Sequence, residues 1–440
     1  MKKIITTVLA IPLIIGILIG LYYSIFVFDD SSQVRIINKN VFADLQPKHV
    51  KVTEFFVYGT SLNITGTLEN INKDNIESAR LIITDGMYET SNFKLEYTVK
   101  DNIFQFTTEN VNEGVNLEKL ENGEYFVLLR FKFNNNNSHK FYALENVSEY
   151  KPIDYYTITK DGKNQRIDIG FDKREYKKQS IDYMYISKKD FELPENIYDF
   201  VIDPGHGGKD SGEKKGEHTE KDIALDVAQK LYDKLTSKGY KVFITRDGIN
   251  DGNISSTTMY DQDGRINKSC RTKAKYMISL HINDGAKNAS GLEVYAPSKI
   301  NLNLASKLSK KIVDSTELEY SNSKTYKKSD GVYVHNFNKM TMDAFIKSCE
   351  NKGFTPYNID TETQYLYTIR EVGGIAQRAY VDGRNIQYGT NNYWNANYGI
   401  ECYQIEMGYI NTDLEKILNS KDGIAEAITC ALVEHINNWQ

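Results

Sequence analysis

The chain has 440 residues, of which 40% are hydrophobic and 26% charged, a globular composition long enough for two or three domains. Its net charge of −5 gives no bulk attraction to nucleic acid and sets that class of partner aside. The four cysteines (Cys270, Cys349, Cys402 and Cys430) are far apart with no Cys-x-x-Cys spacing, so neither a thiolate metal site nor a disulfide framework is indicated.

After Lys2 and Lys3 the chain carries no charge until Asp29. Ile4 to Phe28 is an apolar run of about 25 residues, enough to span a ~30 Å hydrocarbon core. It ends in bulky and aromatic residues (Tyr22, Tyr23, Phe26, Phe28) rather than in a small-residue cleavage site. The expectation is a membrane anchor at 1–28 with a cytoplasmic N-terminus, a polar stalk at 29–50, and the rest of the chain outside the cell. A cleaved secretion signal is the alternative.

From 51 to 194 the apolar residues alternate. Leu62, Ile64, Gly66 and Leu68 form one set, Phe93, Leu95, Tyr97 and Val99 a second, and Tyr125, Val127, Leu129, Phe131 and Phe133 a third. Period two means strands with one face buried, and turn clusters such as Glu121-Asn122-Gly123 separate them. This predicts an all-β, sandwich-like accessory domain. His49 and His139 stand alone in it, and its partner is not specified by the sequence.

From 195 to 440 strands alternate with helices. The expected fold is an α/β catalytic domain with a mostly parallel sheet flanked by helices. A buried strand, Tyr198 to Asp203, breaks at Pro204 into a glycine-rich turn carrying His206. An amphipathic helix follows, with Ile223, Val227, Ala228, Leu231 and Leu235 on one face. Further strands are predicted at Lys241–Thr245, Tyr276–Leu280, Leu292–Ala296 and Cys402–Ile405. A long insertion at about 332–400 holds a predicted helix and a stretch rich in Gly, Tyr and Asn; surface elaboration, substrate contact and a regulatory lid are all open readings of it.

In open α/β sheets functional groups gather at the carboxyl ends of strands. His206, Glu220, His281 and Glu406 sit at or just past such ends. Two imidazoles and a carboxylate are the donor set of a catalytic zinc, and a further carboxylate can act as general base. Glu217 and His218 lie close enough to Glu220 to compete as ligands. Asp203 is a candidate to orient His206, a strand-end cap being the alternative. Asn283, Arg246 and Arg265 are candidates for structural or substrate-positioning roles.

The ordered text IDPGHGGKDSG (202–212), TEKDIALDVAQKL (219–231), GYKVFITRD (239–247), AKYMISLHIN (274–283), GLEVY (291–295) and YQIEMGYIN (403–411) resembles the zinc-dependent N-acetylmuramoyl-L-alanine amidases of type 3. The resemblance covers 195–440 in family order. It implies Zn2+ held by His206, Glu220 and His281, with Glu406 as the catalytic glutamate. The implied substrate is peptidoglycan, cut between the lactyl group of N-acetylmuramic acid and L-alanine. A zinc peptidase acting within the stem peptide and an inactive wall-binding protein are the competing readings. Ser269-Cys270 stands where the family usually has Ala-Asn.

Overall fold

The computed structural model describes residues 35–36, 45–86, 88–108, 115–134, 139–158, 164–176, 179–249, 264–298, 300–351, 359–373 and 398–438. The expected membrane anchor at 1–28 lies outside these residues. Among the described residues no helix is long and apolar enough to cross a membrane.

The alternating N-terminal segments are strands, among them Ser61–Glu69 and Gly123–Phe133. The second set of alternating residues is broken at Leu95 into two strands, Tyr88–Lys94 and Glu96–Lys100. The first pairs with Ile76–Thr84 and the second with Ile103–Thr107, so the chain turns a corner there. Two sets of strands are linked by the short parallel pairing Leu144↔Val50 and Glu145↔Lys51 into one 14-stranded network, and side chains of both sets share one buried core. That core includes Phe55, Phe104, Phe131 and Met184. Each fully buried side chain of this kind contributes about 1.5–3 kcal/mol.

The C-terminal region is built from β1 (Phe200–Pro204), α1 (Glu220–Ser237), β2 (Val242–Ile244), α2 (Arg265–Arg271), β3 (Tyr276–Asn283), β4 (Glu293–Tyr295) and α3 (Asn303–Ser315). Then come β5 (Lys327–Ser329), β6 (Val332–Tyr333), α4 (Lys339–Asn351), α5 (Tyr367–Val372), β7 (Tyr398–Gly399), β8 (Glu401–Tyr409) and α6 (Leu414–Asn438). Seven of these strands form one sheet in the order β2-β1-β3-β8-β4-β6-β5.

This sheet is mixed, which corrects the expectation of a mostly parallel one. β4 runs antiparallel to β8, and β5 antiparallel to β6. The reason lies in the connection from β3 to β4, residues 284–292. It is too short for the helical crossover of a dozen or more residues that returns a strand in parallel. β4 therefore enters the sheet at the end where β3 leaves it. Parallel pairing is kept where the site is built, between β1, β2, β3 and β8.

Period two divides each central strand. Phe200, Ile202, Tyr276, Ile278, Leu280, Tyr403 and Ile405 pack with helices α1, α3 and α6. Val201, Met277 and Cys402 face the other way and share a core with the N-terminal strands. All four cysteines are free thiols.

The same face carries polar clamps. Lys275, one residue before β3, places its ammonium 2.5 Å from Glu118 Oε1, which also accepts from Tyr155 Oη at 2.6 Å. Lys273 pairs with Asp154 at 2.5 Å. β7 adds to the N-terminal network in parallel, Val57↔Tyr398 and Tyr58↔Gly399, and leads directly into β8. Truncating one partner of a buried ion pair strands the other charge. Glu118→Ala should therefore lower unfolding free energy by roughly 3 kcal/mol, read as a reduced urea midpoint at unchanged m-value.

His435 on α6 is buried edge-on against Tyr276, with ring centroids 5.6 Å apart. Burial, with a smaller contribution from Lys307, holds its imidazolium pKa down to about 3. The unfolded chain then binds the proton more readily, at an ordinary value of about 6.5. Stability from this group is complete above about pH 6.5 and is lost as pH falls from there toward 3. His435→Leu should flatten the dependence of the urea midpoint on pH across that window.

Candidate metal centre

β1 ends at Asp203-Pro204, and the following Gly205 brings its backbone against the His281 ring: a Cβ added there would collide with that ring. His206 itself adopts φ +59, a left-handed conformation that a side chain of its size rarely takes. Gly207 and Asp210 close the turn with two backbone hydrogen bonds, of 2.9 and 3.0 Å. At Gly212, φ +59, an added Cβ would run into the Glu220 carboxylate and lie 2.7 Å from His206 Cδ2. The glycines of this loop leave the space that the His206, Glu220 and His281 side chains fill.

Two arginines hold the loop from outside. Arg265 donates to the His206 carbonyl at 2.6 Å and to Asp203 Oδ1 at 2.9 Å. Arg246 donates to the carbonyls of Pro204 at 3.0 Å, Gly205 at 2.8 Å and Lys221 at 2.6 Å. Asp203 accepts from Thr245 at 2.6 Å and Ser279 at 2.8 Å as well, and it makes no hydrogen bond to the His206 ring. Burial works to raise its carboxyl, yet Arg265 and these hydroxyls outweigh it and hold it below the usual range. Asp203 thus acts on His206 through Arg265. Arg246 and Arg265 both donate to main-chain carbonyls of the loop, the role of loop supports.

Glu220 opens α1, whose N-cap Thr219 accepts from the Asp222 N–H. Its Oε2 accepts from Glu213 N–H at 3.0 Å and its Oε1 from Ile282 N–H at 2.9 Å. The same Oε1 lies 3.0 Å from His206 Nε2 and 3.0 Å from His281 Nδ1. Burial pushes this carboxyl up, but the hydrogen bonds with His206 and His281 prevail and hold it well below the ordinary range. Glu217 and His218 are exposed and stay apart from this cluster.

Among the described residues, the donor atoms of His206, Glu220 and His281 lie within 4.8 Å of one another. Two imidazole nitrogens and a carboxylate converging in a glycine-lined space fit a divalent cation.

Glu406 lies directly across the parallel ladder from His281. It is 6% exposed, and its Oε1 accepts from Gln404 Nε2 at 2.7 Å. Burial pushes its carboxyl up to about 7, with Glu220 adding to the shift and His281 opposing it. On its other side β4 places Glu293 opposite Glu406. Glu293 is saturated by Asn283 at 3.0 Å and by Tyr295, Ser321 and Tyr409, each at 2.7 Å. Asn283 is therefore committed to Glu293.

The sequence reading passed over Asp210, Gln404 and Glu293. Gln404 was accessible from strand period, since it precedes Glu406 by two residues on one face. Asp210 follows His206 by four residues inside the turn. Glu293 had no such signal beyond being a carboxylate in an apolar strand.

A metal-donor triad with a buried carboxylate base beside it, at the ends of parallel strands, is the layout of a metallohydrolase. The model of the N-acetylmuramoyl-L-alanine amidase family called amidase type 3 matches residues 200–438. The chain belongs to that family. The germination-specific N-acetylmuramoyl-L-alanine amidase of Bacillus subtilis (strain 168) is 34% identical over 103 residues, 22% of this chain and 44% of the relative. The amidase LytC of the same organism is 24% identical over 196 residues, 44% of this chain and 35% of the relative. Each match spans less than half the relative's length. Among solved structures, an N-acetylmuramoyl-L-alanine amidase from Clostridium difficile 630 is 22% identical with a TM-score of 0.35, covering 55% of this chain and 98% of that one.

Proposed function

We propose that this chain is a zinc-dependent hydrolase that cleaves the amide between the lactyl group of N-acetylmuramic acid and L-alanine in peptidoglycan. The observation that carries the reading is Glu406, a buried carboxylate pushed to about 7 and held opposite His281 beside the donor triad. Family membership supplies the substrate class. His206, Glu220 and His281 would hold the zinc ion. When bound, the ion supplies Lewis acidity for the scissile carbonyl and for an attacking water.

The protein's own groups do the rest. Glu406 takes a proton from the water and delivers it to the leaving amide nitrogen. Gln404 fixes its carboxylate by donating to Oε1. A carboxyl poised near neutrality can do both jobs, whereas an ordinary one is too weak a base.

A place outside the cytoplasmic membrane belongs to the same proposal. The uncharged N-terminal segment 4–28 supports export, and the substrate is found there. The metal part of the reading is tested by stripping the protein with a chelator and restoring Zn2+, using a soluble muramoyl-peptide. Activity should vanish and return with one equivalent. Full activity after stripping, with metal content confirmed at zero, would sink it.

A further inference from the structure

We propose that Asp210 is the residue that sets the tautomer and orientation of His206, so that Nδ1 carries the proton and Nε2 is offered to the metal. The proposal rests on the metal reading above and assigns a role to a residue outside the donor triad.

His206 Nδ1 lies 3.0 Å from Asp210 Oδ2, while its Nε2 points the opposite way, 3.0 Å from Glu220 Oε1. Nδ1 is buried and has no aligned hydrogen-bond partner among the described residues, and the Asp210 carboxylate 3.0 Å away is the acceptor within its reach. Among the described residues, Asp210 is its carboxylate neighbour. Asp210 is also placed with little freedom. Its Oδ1 accepts from Gly212 N–H at 3.1 Å, and its backbone N–H and carbonyl are both bonded to Gly207. The turn that strains His206 to φ +59 is therefore the one that delivers the carboxylate to its ring.

The physical need is clear. A histidine held on a strained backbone has its ring aimed only by what the ring touches, and a neutral imidazole can present either nitrogen. A carboxylate beside Nδ1 favours the tautomer whose Nδ1–H donates to it and leaves the Nε2 lone pair facing the site. Such partners typically change metal affinity by about 10- to 100-fold. Arg265, which grips the His206 carbonyl, positions the backbone but not the ring.

The test uses the full chain and Zn2+ alone. Asp210→Asn keeps the size of the side chain and an oxygen for Gly212 N–H, but it presents an amide in place of the accepting oxygen. In competition with a chromogenic chelator, zinc affinity should fall about 10- to 100-fold, with the circular dichroism of the zinc-free protein unchanged. Equal affinity of wild type and Asp210→Asn would overturn the proposal while leaving the metal reading intact. If wild type itself takes up no zinc, the two fall together. A second measurement avoids any variant: 15N-histidine NMR of the zinc-loaded wild type should show His206 protonated at Nδ1 and metallated at Nε2. The reverse tautomer would contradict the proposal.

Discussion

Glu406→Gln is expected to lower the hydrolysis rate by about 10²- to 10⁴-fold while leaving zinc content and the thermal midpoint close to wild type. The substitution keeps the size of the side chain and removes its capacity to accept and return a proton. Glu406 is not one of the three residues whose donor atoms cluster, so metal uptake should survive. The neighbours bear this out structurally. Gln404 donates to Oε1 and can reorient toward the amide oxygen of the variant, so no buried donor need be stranded. The effect should fall on kcat rather than KM, because the proton moves only in the transition state. A variant with near-normal kcat would remove Glu406 from the chemistry.

His281→Ala should act earlier, on the metal. Its Nδ1 lies 3.0 Å from the same Glu220 oxygen that His206 approaches, and removing it leaves two donors from the loop and helix α1. Zinc binding by the variant should be lost at micromolar protein, and activity should drop by at least about 10³-fold, equivalent to roughly 4 kcal/mol of barrier. The contrast with Glu406→Gln is the informative part: one variant keeps its zinc and the other does not. Equal zinc content in both would mean that His281 is not a ligand.

Much of the local layout was legible in the sequence. The break from an apolar strand into Pro204-Gly205-His206 marks a strand end with an exposed side chain, and the 3.6-residue spacing from Ile223 onward marks the helix that Glu220 opens. Cross-strand facts were not legible. That His281 and Glu406 face each other depends on β3 and β8 being neighbours, which no local pattern encodes. The direction of β4 was recoverable in principle, since residues 284–292 offer no room for a crossover helix, but the strand pattern alone reads the same in either direction.

Asp203 illustrates a different limit. Its place at the strand end before His206 invited a direct contact, yet its carboxylate turns to Arg265, Thr245 and Ser279. The strand ends at Pro204, and His206 lies beyond it in a left-handed conformation, out of line with the strand that carries Asp203. The residue that does reach the ring, Asp210, is brought there only by the left-handed turn through Gly207 and Gly208. Buried Glu293 escaped notice for a related reason: its four donors come from β3, β4, β8 and the segment after α3.

The most direct test of the central claim is the chemistry of the product. Purified peptidoglycan digested with the zinc-loaded chain should yield new L-alanine amino termini in equal number to intact lactyl carboxylates on N-acetylmuramic acid, with no new termini inside the stem peptide. New amino termini on any other residue, with the muramoyl–alanine amide left whole, would contradict the account.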